Sequence, residues 1–126
     1  MNNQRPMVLV IEDNAVTRAG LEIVLGRYGY ATAAAANGRA ALDLLSGGLI
    51  PDVILLDMLL PVLDGWRFLP ALRETPHKDV PVIVTSGVAL SQEWAADNGC
   101  TAFLRKPFDE HELLATVARA VESARG

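Results

Sequence analysis

Val53-Ile54-Leu55-Leu56-Asp57-Met58-Leu59-Leu60-Pro61, with Asp64-Gly65 close behind, is the stretch from which the rest of the chain is read. Pro51-Asp52 opens it, four apolar residues follow without a break, and a single carboxylate closes the run. A short continuous apolar run suits a strand buried on both faces, as in parallel sheets. A second run, Met7-Val8-Leu9-Val10-Ile11, stops as abruptly at Glu12-Asp13. A third, Val80-Pro81-Val82-Ile83-Val84, runs into Thr85-Ser86-Gly87. Ala102-Phe103-Leu104 reads as a shorter strand ahead of Lys106-Pro107, and the Ala-rich stretch 30–36 as a weak strand, second in chain order.

Between these runs the periodicity turns helical. Leu21, Val24, Leu25 and Tyr28 fall at i, i+3, i+4 and i+7 and are expected to face the core, with Gly29 as the stop. Asn37 suits the N-cap of a helix bearing Ala41, Leu44 and Leu45, closed by Gly47-Gly48. A third helix is expected from near Asp64, carrying Phe68, Leu69 and Leu72; Pro70 inside it should remove one backbone hydrogen bond and kink it. A short helix over about 91–98 follows. The last begins at Asp109, which with Glu112 has the form of a capping box, and shows an apolar face of Leu113, Leu114, Val117 and Val121. Five strands alternating with five helices through short connections predict an α/β domain, a doubly wound parallel sheet covered on both faces. A single domain is expected over 1–126, with its core at about 7–124 and no output domain attached.

Composition agrees. The 126 residues are 51% hydrophobic and 21% charged, a balance of folded chains long enough to bury a core. A net charge of −4 argues against direct binding of nucleic acid or an anionic membrane. No apolar run reaches the roughly 20 residues of a membrane helix, and Met1-Asn2-Asn3-Gln4-Arg5-Pro6 has no signal-peptide character. Cys100 is the only cysteine, so no intramolecular disulfide forms. A cytoplasmic location is expected.

In open α/β sheets, sites form beyond the carboxyl ends of the strands. Glu12-Asp13, Asp57, Thr85-Ser86 and Lys106 all stand at such ends. Taken singly, each has an ordinary reading: a capping pair, a turn residue, another cap, a solvated lysine. Together they gather three carboxylates, two hydroxyls and an ammonium at one edge. Carboxylates that close repel unless a proton or a cation offsets them. Mg²⁺, which takes oxygen ligands and keeps several waters, fits such a set. A carboxylate can also act as a nucleophile and form an aspartyl-phosphate, with Lys106 and Thr85 neutralising and hydrogen-bonding the phosphoryl oxygens. Asp57, central between the first and fourth strands, is the expected nucleophile.

The chain resembles the response-regulator receiver family, the CheY-like domains of two-component signalling. Val8-Leu9-Val10-Ile11-Glu12-Asp13-Asn14, Asp57-Met58-Leu59-Leu60-Pro61 with Asp64-Gly65, Thr85-Ser86-Gly87 and Lys106-Pro107-Phe108 carry the likeness, in matching order and spacing. The resemblance implies a flavodoxin-like sheet of order 2-1-3-4-5. It implies that Asp57 is the phosphoacceptor, served by a histidine kinase or a phosphotransfer protein. By the same resemblance Asp13, Asp57 and the Leu59 carbonyl would ligate Mg²⁺ directly, and Glu12 through water. Thr85 and Lys106 would contact the phosphoryl group, Phe103 would be the aromatic that swings inward, and the Lys106-Pro107 bond would be cis. Signal output is expected on the face of helix four, strand five and helix five, from a monomer or weak dimer to a downstream protein. The chain departs from the common pattern at the apolar Leu59, at Pro70 and in its short fourth-helix region.

Three other functions meet specific obstacles. A haloacid-dehalogenase-like phosphatase usually places a second Asp two residues after its nucleophile, where this chain has Leu59. An FMN binder needs a phosphate-cradling loop after the first strand, where Glu12-Asp13 has the wrong charge. A pseudo-receiver that binds partners without phosphorylation would share the architecture, but the complete acidic set argues against it. His77 and His111 read as solvated, Cys100 as a small buried filler, and Trp66 and Trp94 as helix-packing residues, Trp94 with a possible place on the output face.

Overall fold

The computed structural model describes residues 5–60, 62–87 and 90–125; Pro61 of the central motif and the first four residues of the N-terminal stretch lie outside the described residues. The elements alternate without exception: β1 (Met7–Ile11), α1 (Ala15–Arg27), β2 (Ala31–Ala35), α2 (Gly38–Ser46), β3 (Val53–Asp57), α3 (Gly65–Arg73), β4 (Val82–Ser86), α4 (Gln92–Asp97), β5 (Ala102–Arg105) and α5 (Glu110–Arg125). The strands form one parallel sheet in the order β2-β1-β3-β4-β5, so the expected flavodoxin-like topology is what the chain adopts.

The continuous apolar runs have a simple cause. Successive side chains of a strand point to opposite faces, and here both faces are covered. On β1, Leu9 and Ile11 join a cluster with Ala41 and Leu45 of α2, Phe68, Leu69 and Leu72 of α3 and Ala95 of α4. Val8 and Val10 join the opposite cluster with Leu25 of α1 and Leu113, Val117 and Val121 of α5. On β3, Ile54 and Leu56 split from Val53 and Leu55 in the same way.

Local chemistry starts the helices. The side chains of Asn14, Asn37, Asp64 and Ser91 each accept the amide three residues on, which satisfies one of the donors left open at a helix start. At α5 the capping box is reciprocal: the Glu112 amide donates to Asp109 Oδ1 at 2.7 Å, and the Asp109 amide to Glu112 Oε1 at 3.5 Å.

Three expectations need correction. Tyr28 is not on the core face of α1 but is its C-cap, 58% exposed, because the helix ends at Arg27 and Tyr28 leaves helical geometry. Leu44 likewise lies at the exposed rim of α2 while Ala41 and Leu45 carry its burial. β4 begins at Val82, two residues later than the apolar run suggests, because the Val80 amide is spent on a turn to the His77 carbonyl at 3.1 Å. It also continues through Thr85 and Ser86, which are therefore strand residues. Pro70 lies inside α3, as expected, and the helix runs on to Arg73 with Phe68, Leu69 and Leu72 buried.

Candidate functional site

Parallel strands bring their carboxyl ends to one edge, and the polar residues gather there. Glu12 and Asp13 follow β1, Asp57 closes β3, Thr85 pairs with Asp57 across the ladder on β4, and Lys106 follows β5. Glu12 and Asp57 are 3% and 5% exposed, whereas Asp13 is exposed and leaves the group open on one side. Carboxylate oxygens of the three lie within 4.8 Å of one another. Two such charges at that separation repel by about 3.5 kcal/mol at an effective dielectric of about 20.

Local hydrogen bonds aim these groups. Asp57 Oδ1 accepts the Leu59 amide at 3.1 Å, a turn that leaves Oδ2 for Lys106. Glu12 Oε2 accepts the Asn14 amide at 3.1 Å, while Asn14 Oδ1 caps α1 through the Thr17 amide at 2.9 Å. Arg18 Nη1 reaches back to the carbonyls of Glu12 and Asp13, at 2.9 and 3.3 Å. Sequence reasoning passed over Arg18; a basic residue one turn into the helix that follows an acidic pair is the signal that would have found it.

Lys106 supplies the cation. Its Nζ lies 2.8 Å from Glu12 Oε1 and 3.2 Å from Asp57 Oδ2. Burial pulls its pKa down, but hydrogen bonding and the charges of Glu12 and Asp57 outweigh burial and hold it above the usual lysine value. The peptide bond from Lys106 to Pro107 is cis. One ammonium facing three carboxylates leaves the cluster two charges short of neutral. An all-oxygen donor set with residual negative charge and an open side fits a hard divalent cation such as Mg²⁺ and does not fit a soft metal.

The remaining expected residues are placed as follows. Thr85 is buried, and its hydroxyl donates to the Leu56 carbonyl at 3.5 Å, the long limit of such a bond. Phe103 lies one ladder step below, opposite Val84, with its ring already in the core beside α3 and α4. Any rearrangement at this position thus starts from an inward ring. The side chain of Leu59 is exposed. His111 is exposed, His77 half-buried and Cys100 buried, and none joins the acidic cluster. No helix among the described residues is long and apolar enough to cross a membrane.

Comparison with known proteins gives a consistent result. Residues 8–118 match the response regulator receiver domain family. The chain is 35% identical over 119 residues to the transcriptional regulatory protein PcoR of Escherichia coli, covering 94% of this chain and 52% of PcoR. It spans about half the length of the curated relatives it matches. A putative response regulator from Chloroflexus aurantiacus superposes with a TM-score of 0.85 at 29% identity, over 94% of this chain and 99% of that one. The chemotaxis response regulator CheY4 of Vibrio cholerae does so with a TM-score of 0.83 at 29% identity, over 93% and 99%.

Proposed function

Since the chain belongs to the response regulator receiver domain family of two-component signalling, we propose that Asp57 accepts a phosphoryl group from a histidine kinase or a phosphotransfer protein in a Mg²⁺-dependent reaction. The observation that carries this reading is the under-neutralised cluster of Glu12, Asp13 and Asp57 around one ammonium at the sheet edge. Asp13, Asp57 and the Leu59 carbonyl would hold the cation, with Glu12 reaching it through water. Bound there, Mg²⁺ supplies positive charge against the equatorial phosphoryl oxygens.

The chain's own residues do the rest. An Asp57 carboxylate oxygen forms the new O–P bond as the donor's P–N bond breaks, its electron pair leaving with the imidazole. Lys106 is already within reach of Asp57 and transfers its contact to a phosphoryl oxygen. The Thr85 hydroxyl gives up its long bond to the Leu56 carbonyl and turns toward the phosphate, drawing the end of β4 with it. Phosphorylation adds about −1.5 to −2 charges and three strong acceptors. The resulting shift is read on the face of α4, β5 and α5. Moving that equilibrium from 1:99 to 99:1 takes about 5.5 kcal/mol of differential interaction.

The chain acts as one receiver unit whose downstream target is a protein, since its net charge of −4 offers nothing to nucleic acid. Intact mass after incubation with Mg²⁺ and acetyl phosphate, for wild type and Asp57→Asn, tests the chemistry. A Mg²⁺-dependent phosphoryl adduct on wild type alone is expected. An adduct that survives in Asp57→Asn would show that the nucleophile is another residue, and the absence of both adduct and Mg²⁺ binding would favour a pseudo-receiver.

A further inference from the structure

α4 has six residues, too few to hold itself helical, so its seat on the sheet depends on tertiary contacts. Two side chains provide distinctive ones. Gln92, the first residue, turns its amide onto the outer edge of β5: Nε2 donates to the Phe103 carbonyl at 2.7 Å, and the Phe103 amide donates to Oε1 at 3.1 Å. The pair satisfies both backbone groups of an edge-strand residue, as a neighbouring strand would. Two residues on, Trp94 meets Trp66 edge to face, with ring centroids 5.1 Å apart and planes at 82°.

Trp66 ties this contact to the acidic site. It is the second residue of α3, directly after Gly65. The Gly65 amide donates to the Met58 carbonyl at 3.1 Å, and a Cβ at Gly65 would lie 2.7 Å from Met58 Cα. The first turn of α3 is therefore keyed without slack to the residue that follows Asp57. A continuous set of contacts runs from Asp57 through Met58, Gly65 and Trp66 to Trp94 on α4, and the Met58 amide joins it to the end of β4 by donating to the Thr85 carbonyl at 3.1 Å.

We propose that Trp66 and Trp94 are positioning residues that couple the phosphoacceptor loop to α4, with Gln92 as the catch that keeps α4 on β5; this rests on the phosphorylation of Asp57 proposed above. When Thr85 turns toward the phosphate, Met58 follows through its amide's bond to the Thr85 carbonyl, the first turn of α3 follows Met58, and the Trp66 ring withdraws its support from Trp94. α4 is then held by Gln92 and the buried Ala95 alone, and loosens.

Amide hydrogen exchange on the full chain, with and without Mg²⁺ and acetyl phosphate, tests this, with the adduct counted by intact mass in the same samples. In wild type, α4 amides exchange on the order of ten-fold faster in the phosphorylated form, the loss of one or two hydrogen bonds' worth of protection. In Trp66→Leu and Trp94→Leu the adduct still forms, but α4 exchange no longer differs between the two forms. Trp66→Phe, which keeps an aromatic edge, restores the difference. Gln92→Ala exposes the Phe103 amide in both forms. An adduct on Trp66→Leu with the wild-type exchange ratio intact would overturn the proposal, because the rings would then only pack. So would an adduct on a folded Trp66→Phe with no exchange difference. No adduct on wild type removes the phosphorylation reading itself, and the mass measurement identifies that case separately.

Discussion

Lys106→Met removes the cation of the acidic cluster while leaving most of the aliphatic stem in place. In the structure the ammonium bridges two carboxylates whose side chains are 4% and 7% exposed, and its own side chain is 30% exposed. Breaking a buried ion pair by deleting one partner costs about 3–5 kcal/mol, because the surviving charge stays buried and uncompensated. The partial exposure of Lys106 places the expected loss near the lower end, about 3 kcal/mol. For a chain of 126 residues the entropy of unfolding is about 0.26 kcal/mol/K, so the melting temperature should fall by about 11 °C. Mg²⁺ should restore more stability to the variant than it adds to wild type, since no ammonium competes for Glu12 and Asp57; at 100 times Kd a bound ion contributes about 2.7 kcal/mol. The pH dependence has a definite sign. A lysine whose folded pKa lies above its unfolded value of 10.5 stabilises fully below that value and loses the contribution as pH rises through the folded pKa. The gap between wild type and variant should thus be constant around neutrality and close only at alkaline pH. Urea or thermal unfolding of both proteins, with and without Mg²⁺, measures all of this. A variant as stable as wild type, or one that Mg²⁺ stabilises no better, would refute the view of Lys106 as the resident counter-ion.

Three further substitutions probe the same edge. Asp57→Asn should raise the Mg²⁺ dissociation constant at least about ten-fold, the scale of one lost charged ligand, by calorimetric titration; unchanged affinity would place the ion elsewhere. Val62 has φ +66° and is 77% exposed, a conformation that costs a β-branched residue about 1–2 kcal/mol, so Val62→Gly should stabilise the chain by about 0.5–1 kcal/mol in urea unfolding. A destabilised glycine variant would show that the side chain makes contacts worth more than the strain. Gly65→Ala should destabilise by about 2 kcal/mol or more and slow formation of the phosphoryl adduct, because the added methyl drives Met58 away from α3; near-wild-type stability and rate would show that the loop has slack.

Much of this protein was legible from residue order because the deciding interactions are either local or repeated. Each N-cap needs only the amide three residues on, so Asn37, Asp64 and the Asp109–Glu112 box could be read directly. Strands buried on both faces must be apolar throughout, which made β1 and β3 plain, and a parallel sheet places every strand end at one edge, which put Glu12, Asp13, Asp57, Thr85 and Lys106 together. Tertiary structure decided the rest. The alanines of β2 have little strand preference of their own, and it is pairing with β1, from Met7 opposite Ala31 to Ile11 opposite Ala35, that makes them a strand. The choice of Glu12 and Asp57 as partners of Lys106 spans 94 and 49 residues of chain and exists only once the sheet closes. Tyr28 turns outward, Phe103 inward, Gln92 onto the edge of β5 and Trp66 onto Trp94 for the same reason: each depends on which surface a neighbouring element presents, and no periodicity within one segment records that.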